Sequence, residues 1–228
     1  MVAFPAIAAK TVVLDGQKLA GGGTGLRFER RDHTWGPAPA NFSGIHKTPG
    51  LTGPIDDAFM EPFLFVHPTG AAWNENVGRW TQSELALATN LWRDLFRGDA
   101  PIKDDKDVSD EDIASKNLVL WGDPSSNLIL AKILDRLPVK WNERQLVSKG
   151  QNYDATHFVP ILVFPNPLNP RHYVVLNSGI DFRNDAYGSN ALQTPKLPDW
   201  AIIDLNQPPG PRWPGRVADA GFFNEEWK

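Results

Sequence analysis

The sequence contains no cysteine, no long hydrophobic run and no cluster of basic residues. The lack of cysteine excludes disulfide bonds, thiol nucleophiles and cysteine-based metal sites. No apolar run approaches the roughly 20 residues that a membrane-spanning helix needs, so we expect no membrane partner. A net charge of −4 without a basic face argues against nucleic acid as a partner.

Motifs for metals and cofactors are missing as well. No pair of histidines has the H-x-x-x-H or H-E-x-x-H spacing of a zinc site, so we predict no metal centre. The loop at residues 122–127 lacks the glycines of a dinucleotide-binding turn and the lysine of a phosphate-binding loop. We therefore expect no cofactor.

The residues that are present indicate a soluble globular protein. The chain has 228 residues, of which 41% are hydrophobic and 22% charged, which is enough for one substantial core or two small ones. Nine tryptophans stand against three tyrosines. Tryptophan combines a large apolar surface with one N–H donor, so these residues either lock the core or line a binding surface.

Alternating strand and helix patterns predict an α/β fold, a three-layer sandwich with a mostly parallel, mixed sheet, preceded by a small N-terminal β unit. Thr81 and Glu84 form a capping box that predicts the start of a helix, which Gly98 ends. The proline-rich turn at 166–170 implies at least one antiparallel pair. Apolar runs predict the strands, at residues 63–66, 117–121, 158–164, 173–176 and 201–205.

We divide the chain into three parts. Residues 1–57 form a small β unit, with a hairpin turn at Asp15-Gly16, and a linker arm. Residues 58–205 form the α/β domain, and residues 206–228 form an irregular C-terminal tail. Within the domain, the acidic stretch 104–112 is predicted to be a solvated loop with Ser109 capping a short helix. A divalent-cation site is the alternative reading of that stretch.

Three segments together resemble the C-terminal region of large bacterial hydrolases, the prolyl-oligopeptidase-family serine peptidases. The segments read GPIDDAFMEPFLFVHPTG, DIASKNLVLWGDPSSN and FVPILVFPNPLNPRHYVVLNSG. The resemblance covers nearly the whole chain, and it implies an accessory module that docks on a hydrolase domain or positions substrate for it. The family's G-x-S-x-G motif is absent here, so no catalytic residue carries over.

The resemblance also bears on partners and location. It implies a hydrolase domain, or a peptide or small-molecule substrate, as the partner. It implies a secreted or periplasmic location, although residues 1–10 lack the basic start of a signal peptide.

Ligands of open α/β sheets bind at the carboxyl ends of the strands, so we expect a site where three loops follow predicted strands. The candidate ligand-binding residues in these loops are Thr69, Asp123, Ser126, Asn127 and Asn177. The second loop leads into a helix, so three interpretations stay open for it. Ser125 or Ser126 caps the helix, the helix start binds an anion, or one serine is a nucleophile.

Two further function classes stay open beside the accessory module. A small serine hydrolase, an esterase or peptidase, needs a nucleophile, a base and an orienting acid. The candidates for those roles are Ser125, Ser178, His67, His157 and Asp154. A glycan- or peptide-binding module would use the tryptophans in or near loops, which are Trp35, Trp73, Trp80, Trp213 and Trp227. The sequence does not decide whether the protein is an enzyme.

Overall fold

The computed structural model describes residues 2–38, 44–180, 197–210 and 213–228. The chain forms two compact units, Met1–Gly44 and Ile45–Lys228. The first unit consists of antiparallel strands, and residues 39–43 of the predicted linker arm lie outside the described residues. Its strands are β1 (Val2–Ile7), β2 (Thr11–Leu14), β3 (Gln17–Ala20), β4 (Gly23–Arg31) and β5 (Thr34–Pro37).

The hairpin at Asp15-Gly16 is confirmed, because β2 and β3 pair antiparallel on either side of it. Both turn residues have positive φ, which favours the two-residue hairpin loop predicted from this dipeptide. β1, β4 and β5 form a separate three-stranded sheet in the order β1-β4-β5.

The second unit contains the remaining elements. In chain order they are β6 (Phe63–His67), α1 (Glu75–Phe96), β7 (Ile102–Asp104), α2 (Asp110–Ser115), β8 (Asn117–Leu120), α3 (Leu128–Ile133), β9 (Val139–Trp141), β10 (Gln145–Ser148), β11 (Gln151–Asp154), β12 (Phe158–Asn166), β13 (Asn169–Leu176), β14 (Trp200–Asp204) and β15 (Arg216–Gly221). Short 3-10 turns lie at Ile55–Phe59, Asp105–Asp107 and Leu134–Arg136.

Seven strands form the main sheet, in the order β15-β14-β12-β13-β8-β6-β7. The pairs β13-β8, β8-β6 and β6-β7 are parallel. The pairs β15-β14, β14-β12 and β12-β13 are antiparallel. β9, β10 and β11 form a second, antiparallel sheet in this unit.

The prediction of a three-layer α/β sandwich with a mostly parallel sheet is wrong. Strands make up 38% and helices 22% of the described residues, and half of the main sheet is antiparallel. Two features account for the difference. The strand β14 pairs antiparallel with β12, and the segment 206–228, predicted to be irregular, supplies the antiparallel edge strand β15. The antiparallel pair predicted from the turn at 166–170 is confirmed by β12 and β13. No helix among the described residues is long and apolar enough to cross a membrane.

α1 packs tightly against the main sheet. The rings of Trp92 and Phe63 have centroids 4.6 Å apart. One turn earlier on α1, the Cβ of Ala88 would lie 2.5 Å from a Cβ added at Gly179, so only glycine allows this approach. The helix begins at Glu75, about two turns before the predicted start, and both Thr81 and Glu84 are buried within it.

The small sheet covers another part of the main one. The rings of Tyr153 and Phe158 have centroids 5.3 Å apart. Lys149 Nζ lies 4.8 Å from the ring centroid of Phe223. All residues of β8 and β14 are buried.

One buried ion pair joins distant parts of the second unit. Asp199, just before β14, has a fully buried side chain, and its Oδ2 lies 2.6 Å from Lys47 Nζ. The same oxygen accepts a hydrogen bond from the backbone N–H of Phe223 at 2.9 Å. Lys47 Nζ also lies 4.9 Å from the ring centroid of Trp227. The pair thus connects the start of this unit to β14 and to the chain terminus.

We expect Lys47→Met to lower the free energy of unfolding by about 3–5 kcal/mol, because it leaves Asp199 buried without its cation. Urea unfolding followed by tryptophan fluorescence measures the loss. The control is Lys132→Met, at an exposed position on α3. Equal stability of the two variants would show that the ion pair contributes nothing.

Candidate functional site

The three predicted loops meet at the carboxyl ends of the parallel strands. Gly122 N–H donates to Asn177 Oδ1 at 2.8 Å, and Asn177 Nδ2 donates to Gly122 O at 3.0 Å, which joins the loops after β8 and β13. Gly70 N–H donates to Ser126 O at 2.9 Å, which joins the loops after β6 and β8. The assumption that these loops converge is therefore correct.

Asp123 organises the middle loop. Its Oδ1 accepts the backbone N–H groups of Ser125 and Ser126, at 3.0 and 2.9 Å. Its Oδ2 accepts the N–H of Trp73 at 2.8 Å, which fixes the segment before α1. Asp123 is only 1% exposed, and both of its carboxylate oxygens already accept hydrogen bonds from backbone N–H groups of the protein.

Asn127, and neither Ser125 nor Ser126, caps α3. Its Oδ1 accepts the N–H groups of Ile129 and Leu130 at 3.1 and 3.0 Å. Its Nδ2 donates to Trp121 O at 2.9 Å. Ser126 instead bonds within the loop, where its Oγ accepts the N–H of Asp123 at 2.9 Å.

Asp105 accepts the hydrogen bond of the first backbone N–H of α3, which Asn127 leaves unpaired. Its Oδ2 accepts the N–H of Leu128 at 2.8 Å, and its Oδ1 accepts the hydroxyl of Thr69 at 2.7 Å. Burial alone would raise the pKa of Asp105, but the bonds from Leu128 and Thr69 outweigh it and hold the pKa below the ordinary 3.8. The carboxylate of Asp105 thus takes the position at the start of α3 where a bound external anion was one interpretation of the sequence.

The five candidate ligand-binding residues are therefore linked to one another, directly or through backbone groups. Their role in binding a ligand stays a prediction. Asp123, Ser126, Asn127 and Asn177 are buried, so their internal bonds also give them a structural role, because buried polar groups need partners inside the protein. Thr69 is exposed, and its hydroxyl donates to Asp105.

The catalytic candidates fall into two groups. His67, at the end of β6, has its Nδ1 3.1 Å from Asp104 Oδ1, and its side chain is 45% exposed. Asp104 thus orients this imidazole, as the acid does in a catalytic triad. Ser125 lies exposed on the neighbouring loop. The sequence did not single out Asp104, because it belongs to the acidic stretch predicted to be a solvated loop.

The second group lies around the turn before β12. His157 Nδ1 lies 3.0 Å from Thr156 Oγ1 and 3.9 Å from Asp154 Oδ2. The N–H and hydroxyl of Thr156 both bond to Asp154 and lower the pKa of its carboxyl. Ser178 is buried and donates to Gly179 O at 2.9 Å. Among the described residues, neither candidate serine is hydrogen-bonded to a candidate histidine.

The acidic stretch forms the helix that was predicted. Ser109 caps α2 in a capping box with Asp112. Lys103 and Lys116 both bond to Asp112, at 2.6 and 2.7 Å. Within the described ranges, no group of three His, Asp or Glu side chains could hold a metal ion.

The loop tryptophans differ in exposure. Trp80 lies within α1 and not in a loop, and it is buried, with its Nε1 donating to Pro214 O at 2.6 Å. Trp227 is buried as well. Trp35 and Trp73 are half-buried. Trp213 is 43% exposed and is the accessible member of the set.

Comparison with known proteins adds no assignment. No protein-family model, no curated protein and no solved structure matches this chain.

The Asp105 bonds lead to a prediction about pH. Because its folded pKa lies below the unfolded value of 3.8, its contribution to stability is present above that value and is lost as the pH falls through the folded pKa. We expect Asp105→Asn to be less stable than the wild type at pH 7 and to approach it by pH 2.5. Chemical unfolding across this pH range measures the difference, with Asp135→Asn, at an exposed position, as control. A constant difference between pH 7 and 2.5 would contradict the role of this carboxylate.

Proposed function

We propose that this chain is a non-catalytic accessory module of a prolyl-oligopeptidase-like serine hydrolase, which docks on a hydrolase domain or positions substrate for it. Two things support the proposal. One is the resemblance of its three sequence segments to the C-terminal region of such hydrolases. The other is an exposed apolar patch formed by the end of α1 and the edge strand β7, and this patch is the observation that carries the proposal.

The patch, which we call the β7 patch, consists of Phe96, Ile102 and the half-buried Trp92. Phe96 is 48% and Ile102 46% exposed. The rings of Phe96 and Trp92 have centroids 4.2 Å apart, and Trp92 rests on Phe63 of the main sheet. Grouped, exposed large apolar side chains are typical of protein–protein contacts.

The charges around the β7 patch favour an acidic partner surface. Arg97 follows Phe96 directly, and its guanidinium has no hydrogen-bond or ion-pair partner among the described residues. Arg93 is paired with Asp99 at 2.7 Å, and Lys103 with Asp112. Arg97 is therefore the cation left at this rim for a carboxylate of the partner domain, with which an arginine forms strong, directional hydrogen bonds.

The docking prediction uses a separately expressed hydrolase domain from a prolyl-oligopeptidase-family protein that carries a C-terminal region of this kind. We expect calorimetry to detect binding, and we expect Phe96→Glu and Ile102→Glu each to raise the Kd at least about 10-fold, or about 1.4 kcal/mol.

The matched control is Phe222→Glu, because Phe222 is 69% exposed but lies beyond β15, at the opposite edge of the main sheet. Two results would overturn the proposal. One is no binding by the wild type, and the other is an equal loss of affinity in Phe222→Glu.

The His67–Asp104 pair favours a second candidate function, a small stand-alone serine hydrolase with Ser125 as nucleophile. A histidine oriented through Nδ1 keeps Nε2 for a proton transfer.

The accessory role predicts that the 228-residue chain hydrolyses short-chain p-nitrophenyl esters and prolyl p-nitroanilides only at the buffer rate. Ser125→Ala and Ser178→Ala are assayed beside the wild type. Turnover that one of these changes abolishes would replace the accessory role by the second candidate.

A further inference from the structure

A concave groove lies beside β15, at the edge of the main sheet far from the β7 patch. Its volume is about 320 Å³, within the range of small-molecule sites. Apolar side chains form most of its lining, and two polar residues complete it. The side chains that matter here are Leu197, Trp213, Val217, Ala220, Gln207 and Arg216.

Trp213 gives the groove an aromatic surface. Its side chain is 43% exposed, whereas the other described tryptophans are buried or half-buried. An exposed indole face stacks favourably on another ring, beyond the gain from area alone. A flat, unsaturated ligand therefore suits this wall better than a branched aliphatic one.

Arg216 supplies a fixed cationic group at the same place. Its Nε and Nη2 both donate to Asp204 Oδ2, at 3.1 and 2.6 Å. Asp204 is buried, and its Oδ1 accepts the N–H of Asn206 at 2.9 Å. The guanidinium is thereby held in one orientation.

The other side of this guanidinium remains available. The Arg216 side chain is 57% exposed, and its Nη1 has no hydrogen-bond partner within the described part of the chain. Two N–H donors of a delocalised cation thus lie on the lining of an apolar groove. A carboxylate is the group that best satisfies such donors.

We propose that this groove binds aromatic carboxylates, with the ring on Trp213 and the carboxylate on Arg216. The ligand is either a free aryl carboxylic acid or the C-terminal aromatic residue of a peptide, because both present a ring and a carboxylate. The inference does not depend on docking at the β7 patch, since it uses different residues at the opposite edge of the sheet.

The test is a calorimetric titration of the full chain with N-acetylphenylalanine and with its neutral amide. The two compounds share the ring and differ in the carboxylate. We expect the acid to bind with a Kd at least about 10-fold lower than that of the amide. Titrations with 2-naphthoate and with the peptide Gly-Gly-Phe then distinguish the two sources, since the tighter binder identifies the natural kind of ligand.

Variants assign the binding to this groove. We expect Trp213→Ala to raise the Kd for the acid at least about 10-fold. Arg216→Lys retains a cation for Asp204 but loses the second set of donors, so we expect it to reduce the preference for the acid over the amide. Phe222→Ala, exposed and outside the groove lining, should bind like the wild type.

Three results would overturn the proposal. They are the absence of binding by all four compounds, equal affinity for acid and amide, and unchanged binding in Trp213→Ala. Circular dichroism of each variant confirms that it is folded, which the exposure of both side chains favours.

Discussion

Buried backbone groups at the carboxyl ends of β6, β8 and β13 must find hydrogen-bond partners without water, and the whole loop edge depends on how they do so. An unpaired buried N–H costs about 1–3 kcal/mol. Several backbone N–H groups at this edge have no partner within the sheet, so side chains must accept their hydrogen bonds. Asp123 satisfies three, and Asn177 satisfies one donor and one acceptor across two strands. These short polar side chains thus pair backbone groups that strand partners would pair if the sheet continued.

This constraint also explains the chemistry of the helix start. The N-terminal donors of α3 attract negative charge, so an anion-binding site was a reasonable hypothesis. In this protein, the side chains of Asp105 and Asn127 accept the hydrogen bonds of these N–H groups. Asp105 comes from the turn after β7, so its bond also ties the outermost parallel strand to the loop after β8. A group that binds ligands in other α/β proteins thereby becomes part of the scaffold here.

The sequence predicted the local elements better than their assembly. The strands at 63–66, 117–121, 158–164, 173–176 and 201–205 all exist, because continuous apolar runs are typical of strands buried on both faces. Periodicity does not reveal strand direction. The parallel prediction failed because the apolar run 158–164 pairs with strands on both of its sides in antiparallel fashion.

The misplaced helix start and the missed edge strand have separate physical reasons. Thr81 and Glu84 match a capping box by spacing, yet the apolar stripe of α1 extends back to Val77, so the helix starts earlier and buries them. In β15, burial alternates strictly along the strand, but the residue types do not follow it. Ala218 and Ala220 are exposed while the charged Asp219 is half-buried, so the apolar/polar pattern of a strand is not visible in the sequence. Ala218 has no partner in the register between Asp219 and Val217.

The convergence of the three loops was predicted, but their hydrogen bonds were not. Strand ends that meet at one edge follow from topology, and the three loops named from the sequence do meet there. Asp104 and Asp105 were missed because their partners, His67 and Leu128, are 37 and 23 residues away. Their carboxylates look like any others in an acidic stretch, and only the tertiary structure separates them from solvated neighbours.

The two edges of the main sheet differ in a way that bears on binding. β7 is three residues long, and β15 carries a bulge, while Asp219 Oδ1 accepts the N–H of Ala220 at 2.9 Å. Short edges, bulges and capped N–H groups all disfavour the addition of a further strand. A partner at either edge must therefore contact side chains rather than extend the sheet. The exposed side chains Phe96 and Ile102 at one edge, and Trp213 and Arg216 at the other, are placed where such contacts are possible.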